Sequence, residues 1–148
     1  MSKIKTYKGK LPIGEQEKIH LSTNDGLTGY RIRNFAIISS TPGQGTKENI
    51  GKIYLTDQTG NITNDVDFSD ADLLGVAYFP DVDDNEKNGM TVIIFDKETF
   101  NQDIFVYVVD AAGSTVPVNY YIELEQFKLD INSSTYHTLK NIRSRTQR

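Results

Sequence analysis

The sequence predicts an all-β chain: an antiparallel β-sandwich, jelly-roll-like or immunoglobulin-like, about eight strands, with a short C-terminal arm or helical turn. Three observations predict it. Segments rich in Val, Ile, Tyr, Phe and Thr recur from one end to the other, the residues that suit a pleated, half-buried surface. Between them stand "NDG" (24–26), "TPGQG" (41–45), "QTGN" (58–61), "NEKNG" (85–89) and "DAAGS" (110–114), where Gly supplies positive φ and Asn or Asp bonds the local backbone. No helical pattern separates the strand signals, which favours antiparallel pairing over βαβ crossovers.

Taken in order, "KIKTY" (3–7) is an expected edge strand inside a basic N-terminal arm, residues 1–10. "EKIHLST" (17–23) alternates, with Ile19 and Leu21 on one side and Lys18 and His20 on the other. "YRIRNFAIIS" (30–39) alternates and then turns continuously apolar, as a strand covered on both faces does. "KIYLT" (52–56), "LLGVAYF" (73–79), "MTVIIF" (90–95), "DIFVYVV" (103–109) and "VNYYIELEQF" (118–127) complete a sandwich domain over residues 11–130. In the remaining arm, 131–148, Tyr136, Leu139 and Ile142 recur every three residues, which suits a helical turn or two capped by Ser133 or Ser134. That narrow stripe docks either on its own sandwich or on a neighbour.

Composition bounds the chemistry. At 148 residues the chain is long enough for one domain with a real core. It has no cysteine, so it offers no disulfide, thiolate metal site or cysteine nucleophile. The start "MSKIKTYKGK" has no apolar run after it, so no secretory signal is expected, and no stretch is apolar enough for a membrane span. No cofactor is expected. The net charge of −4 is unevenly spread: residues 1–10 hold four lysines and no acid, whereas residues 11–128 hold eight basic and nineteen acidic residues. Residues 129–148 add Lys140, Arg143, Arg145 and Arg148 against Asp130. Basic ends on an acidic body are suited to pairing with further copies, or to touching nucleic acid without sequence preference.

Several stretches invite a catalytic or metal reading. Glu123 and Glu125 lie two apart in a strand and leave the same face, roughly 6–7 Å apart, which overlaps the spacing of inverting glycosidases. Sandwich glycosidases of the laminarinase and lichenase type carry a pattern resembling E-x-D-x-x-E. Here "ELEQFK" has Glu125 for the central acid and Lys128 for the third, and the chain has no tryptophan to stack a sugar. Tyr120, Ile122 and Leu124 form the inward side of the same strand, so the glutamates read as its outward side. The loop "DVDDNEKNG" (81–89) fails the EF-hand pattern, with Glu86 where glycine belongs, but Asp81, Asp83 and Asp84 remain candidates for an irregular calcium site. "GTKENIGKI" (45–53) has the wrong spacing for a phosphate loop and precedes a strand. His20 and His137, the only histidines, stand beside no nucleophile motif.

The closing pattern, "VNYYIELEQFKL" followed by "TYHTLKNIRSR", resembles the last strand and C-terminal arm of small jelly-roll structural proteins of virus particles, the minor capsid, decoration or tail-associated proteins of bacteriophages. That resemblance implies a non-enzymatic component of the virion that forms homo-oligomers and meets other virion proteins. The arms would be exchanged between neighbours, with Lys3, Lys5, Tyr136, Leu139, Arg143 and Arg145 as assembly contacts. The alternative is a carbohydrate- or receptor-binding β-sandwich, carried by exposed Tyr and Phe or by calcium at Asp81 and Asp83.

Overall fold

A computed structural model gives eight strands and one helix, and describes residues 2–81 and 89–146, with side chains as far as Leu139. In chain order these are β1 (Lys3–Leu11), β2 (Gln16–Ile19), β3 (Thr28–Ser39), β4 (Lys47–Tyr54), β5 (Leu73–Asp81), β6 (Thr91–Ile94), β7 (Ile104–Asp110), β8 (Val118–Lys128) and α1 (Ile131–Thr146). One sheet has the order β1-β8-β3 and the other β2-β7-β4-β5-β6, every pairing antiparallel. First pairs with last, second with seventh and fourth with fifth, which is the nesting of a jelly roll. The third pairing of that scheme is replaced: β6 bonds to β5 while still lying beside β3. The all-β sandwich expected from the strand pattern is the architecture of the chain.

Strand parity places the core. From β8, Val118, Tyr120, Ile122 and Leu124 face inward, and in register with them β3 presents Ile32, Phe35 and Ile37. Ile53, Ile104, Val106 and Val108 meet them from the second sheet. A side chain such as Phe35, buried completely, contributes about 1.5–3 kcal/mol on transfer from water. Tyr120 also ties the two sheets together, its hydroxyl donating to Glu17 of β2. Burial, then that bond, raise its pKa well above the ordinary tyrosine value.

Several boundaries differ from the sequence reading: β1 runs past Tyr7 to Leu11 and β3 starts at Thr28, and three further differences bear on the fold. β2 stops at Ile19, because Asp103 Oδ1 accepts the N–H groups of Leu21 (2.7 Å) and Ser22 (2.9 Å) and draws the backbone out of the ladder. β4 starts at Lys47, not Lys52, and is buried along almost its whole length despite Lys47, Asn49 and Lys52. Each of these side chains has a partner. Asn49 donates to Asp110 at 2.7 Å, and Lys47 donates to the carbonyls of Thr41 (2.8 Å) and Gln44 and faces Asp81 at 3.4 Å. Lys52 donates to the carbonyls of Thr63 (3.0 Å) and Asp65 and lies 5.4 Å from the centre of the Tyr107 ring. The last boundary is α1, which has 16 residues rather than a turn or two.

Lys52 explains how the long connection from 55 to 72 is held. It lies over the outer side of the second sheet, where Ile50, Tyr54, Leu73, Val76, Tyr107 and Val109 form a smaller apolar cluster with Ile62 packed against it. Tyr54 and Tyr107 stack there at 5.7 Å. At the base of the loop Leu55 N–H donates to the Asp72 carbonyl, and Thr56 Oγ1 to the Asp72 carboxylate at 3.1 Å. The loop therefore behaves as a layer of the fold.

Candidate assembly surface

The register of β1 on β8 decides where the N-terminal lysines lie. Lys3 stands opposite Gln126 and Lys5 opposite Leu124, both exposed, at the end of the sheet where Thr28 opposes Lys128. The helix α1 starts three residues after Lys128, so the first residues of β1 and the start of α1 lie toward the same end of the sandwich.

Asp130 caps α1. Its Oδ1 accepts Ser133 N–H at 2.6 Å, and its backbone carbonyl accepts Ser134 N–H at 2.9 Å. The bond from Ser133 holds the Asp130 carboxyl below its usual range. A carboxylate at a helix start satisfies an orphan N–H and suits the positive end of the helix dipole. The sequence reading of Ser133 or Ser134 as cap is therefore corrected. Ser134 instead fastens the helix to the sandwich, its Oγ donating to the Gly26 carbonyl at 2.6 Å. The buried Asn101 amide donates to the same carbonyl (3.0 Å), to the Ser134 carbonyl (3.3 Å) and to Thr138 Oγ1 (2.9 Å). His137 Nε2 is 2.9 Å from Thr99 Oγ1. Gly26 has φ +66°, a backbone that favours glycine, and a Cβ there would come 3.1 Å from Ser134 Oγ and press on its bond to the Gly26 carbonyl.

Ser134, His137 and Thr138 share one side of a helix, and that polar side is the one fixed to the sandwich. Tyr136 and Leu139 are left outside, 62% and 55% exposed, and Ile131 is 75% exposed. An amphipathic helix that closes its own domain does the reverse. The side chains of Arg143 and Arg145 fall outside the described residues. Nothing in the sequence marks Asn101 as the docking group, because a lone Asn in a turn stretch "NQD" reads as turn chemistry.

The other sequence candidates are placed as follows. Glu125 accepts from Arg31 Nε at 2.9 Å and from Arg33 Nη2. A β-bulge between Ile32 and Asn34 inserts Arg33, which brings both guanidiniums to one carboxylate. Arg31 also stacks over Phe127, 5.3 Å from its centroid. The bond from Arg31 holds the Glu125 carboxyl below the usual range, opposite to what a general acid needs. Glu123 accepts from Tyr121 at 3.1 Å. His20 lies beyond the end of β2, 80% exposed and 3.7 Å from Asp103.

Asp81 is committed to Lys47 and to Gly43 N–H (2.9 Å). Asp83 and Asp84 lie outside the described residues. Among the described residues no group of three or more His, Cys, Asp or Glu is placed to hold a metal ion. No described helix is long and apolar enough to cross a membrane.

The described surface also has hollows. A polar cleft of about 550 Å³ lies beside β2 and β7, lined by Lys18, Ser22, Thr56, Asp57, Gln102 and Asp103. Its acids are fixed: Asp57 accepts from Gln16 (2.8 Å) and Thr59, which lower its pKa. At Asp103 burial alone would raise the pKa, but the backbone bonds from Ser22 and Leu21 outweigh it and the net shift is downward. An apolar groove of about 380 Å³ runs along the outer side of the other sheet, lined by Ala36, Ile38, Phe79, Met90 and Tyr121.

Compared with models of protein families the chain matches none, and compared with curated proteins it also finds no match.

Proposed function

We propose that this chain is a non-enzymatic structural protein of a virus particle, built in as a capsid, minor capsid or decoration component by oligomerisation. The observation that carries the reading is the inverted helix: α1 is fixed to its sandwich through Ser134, His137 and Thr138, while Tyr136 and Leu139 are turned away from it. Apolar side chains held outward on an anchored helix are placed to meet another molecule. The jelly-roll nesting of the strands and the gathering of Lys3, Lys5 and α1 at one end support the same reading.

Light scattering on the full chain and on Tyr136→Ser/Leu139→Ser tests it. The full chain is expected above its monomer mass of 16.7 kDa, and the variant nearer to it, with its β-sheet signal in circular dichroism unchanged. Equal masses for the two proteins would remove the helix from assembly. Antibody labelling of purified particles tests the virion assignment separately.

A second reading, a carbohydrate-binding module, draws support from the polar cleft. Asp57 and Asp103 present fixed acceptors there, with Lys18 and Gln102 as donors, the hardware for hydroxyl groups. Glycan-array binding that is lost in Asp57→Ala would favour it.

A further inference from the structure

The helix is not the only apolar surface left uncovered at its end of the sandwich. In the 55–72 loop Phe68 is 54% and Val66 41% exposed, with Phe68 held edge-on against Phe95 at 5.5 Å. Phe68, Ala71, Leu73 and Phe95 line a shallow pocket of about 140 Å³ together with Asp70 and Glu98. Glu98 of this pocket is the chain neighbour of Thr99, which bonds to His137 of α1, so the pocket lies next in sequence to a residue that anchors the helix. Within one copy neither patch covers the other.

Their charges are opposite. Residues 57–72 carry Asp57, Asp65, Asp67, Asp70 and Asp72 and no base. From Leu139 onward the chain carries Lys140, Arg143, Arg145 and Arg148 and no acid. The helix therefore continues into a basic sequence, whereas the loop lies in an acidic one. That combination is self-complementary: turned about a twofold axis, each element faces its opposite, and both contacts form at once.

We propose that two copies of this chain pair reciprocally through this end, the Tyr136–Leu139 side of each α1 seating on the Val66–Phe68 patch of the other. The inference rests on the helix-mediated assembly above and names its partner surface. Both sides are held in place beforehand, the helix by Asn101 and Ser134 and the loop by Lys52, so little ordering opposes association. The charged rim makes the contact sensitive to salt.

The absence of cysteine allows a direct test. Val66→Cys and Leu139→Cys are made as separate proteins, mixed one to one and oxidised, and their products are compared with each protein oxidised alone. Light scattering is run alongside on the full chain, Phe68→Ser and Leu139→Ser at low and high salt. The expected result is a disulfide-linked heterodimer in the mixture and a native mass of twice 16.7 kDa. Phe68→Ser and Leu139→Ser should each weaken the dimer at least about tenfold, the scale expected from uncovering one large apolar side chain. High salt should weaken it too.

If Leu139→Ser dissociates the protein but Phe68→Ser does not, or if Leu139→Cys links only to itself, this pairing is wrong while helix-mediated assembly stands. A double Cys variant that closes within one chain also overturns it. A full chain that stays at 16.7 kDa throughout overturns both this pairing and the helix reading.

Discussion

Lys52→Met is the sharpest test of how the outer loop is held. Lys52 is fully buried in the middle of the central strand β4. Its ammonium donates to the carbonyls of Thr63 (3.0 Å) and Asp65 and lies 5.4 Å from the Tyr107 ring. Hydrogen bonds from a charged donor contribute about 1.5–3 kcal/mol each, and a desolvated cation over an aromatic ring up to about 2 kcal/mol. Against that loss, methionine fills the same channel and removes a buried charge whose desolvation costs several kcal/mol. What methionine does not replace is a donor for two carbonyls, so the loop must lift to hydrate them. The net effect is a destabilisation of about 2 kcal/mol, and with it a fall in Tm of about 4–8 °C at this chain length. Calorimetry reads the fall, and limited proteolysis reads its location, with new cleavage between residues 57 and 72. Because that loop carries Val66 and Phe68, the dimer should weaken in the same variant. A Lys52→Met protein with unchanged Tm and an uncut loop would refute the assignment of Lys52 as the loop's anchor.

Other outcomes follow from the same bonds. Asn101→Ala leaves Gly26, Ser134 and Thr138 without their shared donor, so amide exchange across Ser134–Leu139 should rise while the strands stay protected. Asp103→Asn should flatten the acid limb of stability. The folded Asp103 pKa is depressed, so its contribution is complete above the ordinary carboxylate value, about 3.9, and is lost as pH falls below that toward the folded pKa. Acid titrations of the two proteins should diverge in that window and run parallel above it. Gly51→Ala puts a Cβ 2.9 Å from Ile37 and 3.1 Å from Phe35 in the sandwich core, and should cost about 1–3 kcal/mol in urea unfolding.

The strands that read most clearly are those whose side chains speak for themselves. In β8 the alternation of Tyr120, Ile122 and Leu124 with Tyr121, Glu123 and Glu125 gives both the strand and its inward side, and register then fixes the rest. In β7 the unbroken run from Ile104 to Val109 marks a strand covered on both sides. β4 was half hidden, because Lys47, Asn49 and Lys52 look like a solvated edge until the groups that meet them are known. Those groups lie in neighbouring strands, up to 61 residues away, and in loops.

The helix shows the division most plainly. Local sequence carries its period and the exposed residues Tyr136 and Leu139, but not the choice of which side meets the sandwich. That choice belongs to Asn101 and Gly26, far away in the chain, which offer buried hydrogen-bonding groups rather than an apolar bed. The placement of Lys3 and Lys5 opposite the end of β8 likewise comes from the antiparallel pairing of the first strand with the last. Sequence by itself determined the class of fold, through side-chain period and turn residues, which act within a few residues of each other. The tertiary structure alone decided which polar groups are satisfied, and so which apolar ones are left outside, because burying a polar group is tolerable only where a partner from elsewhere in the chain arrives to bond it.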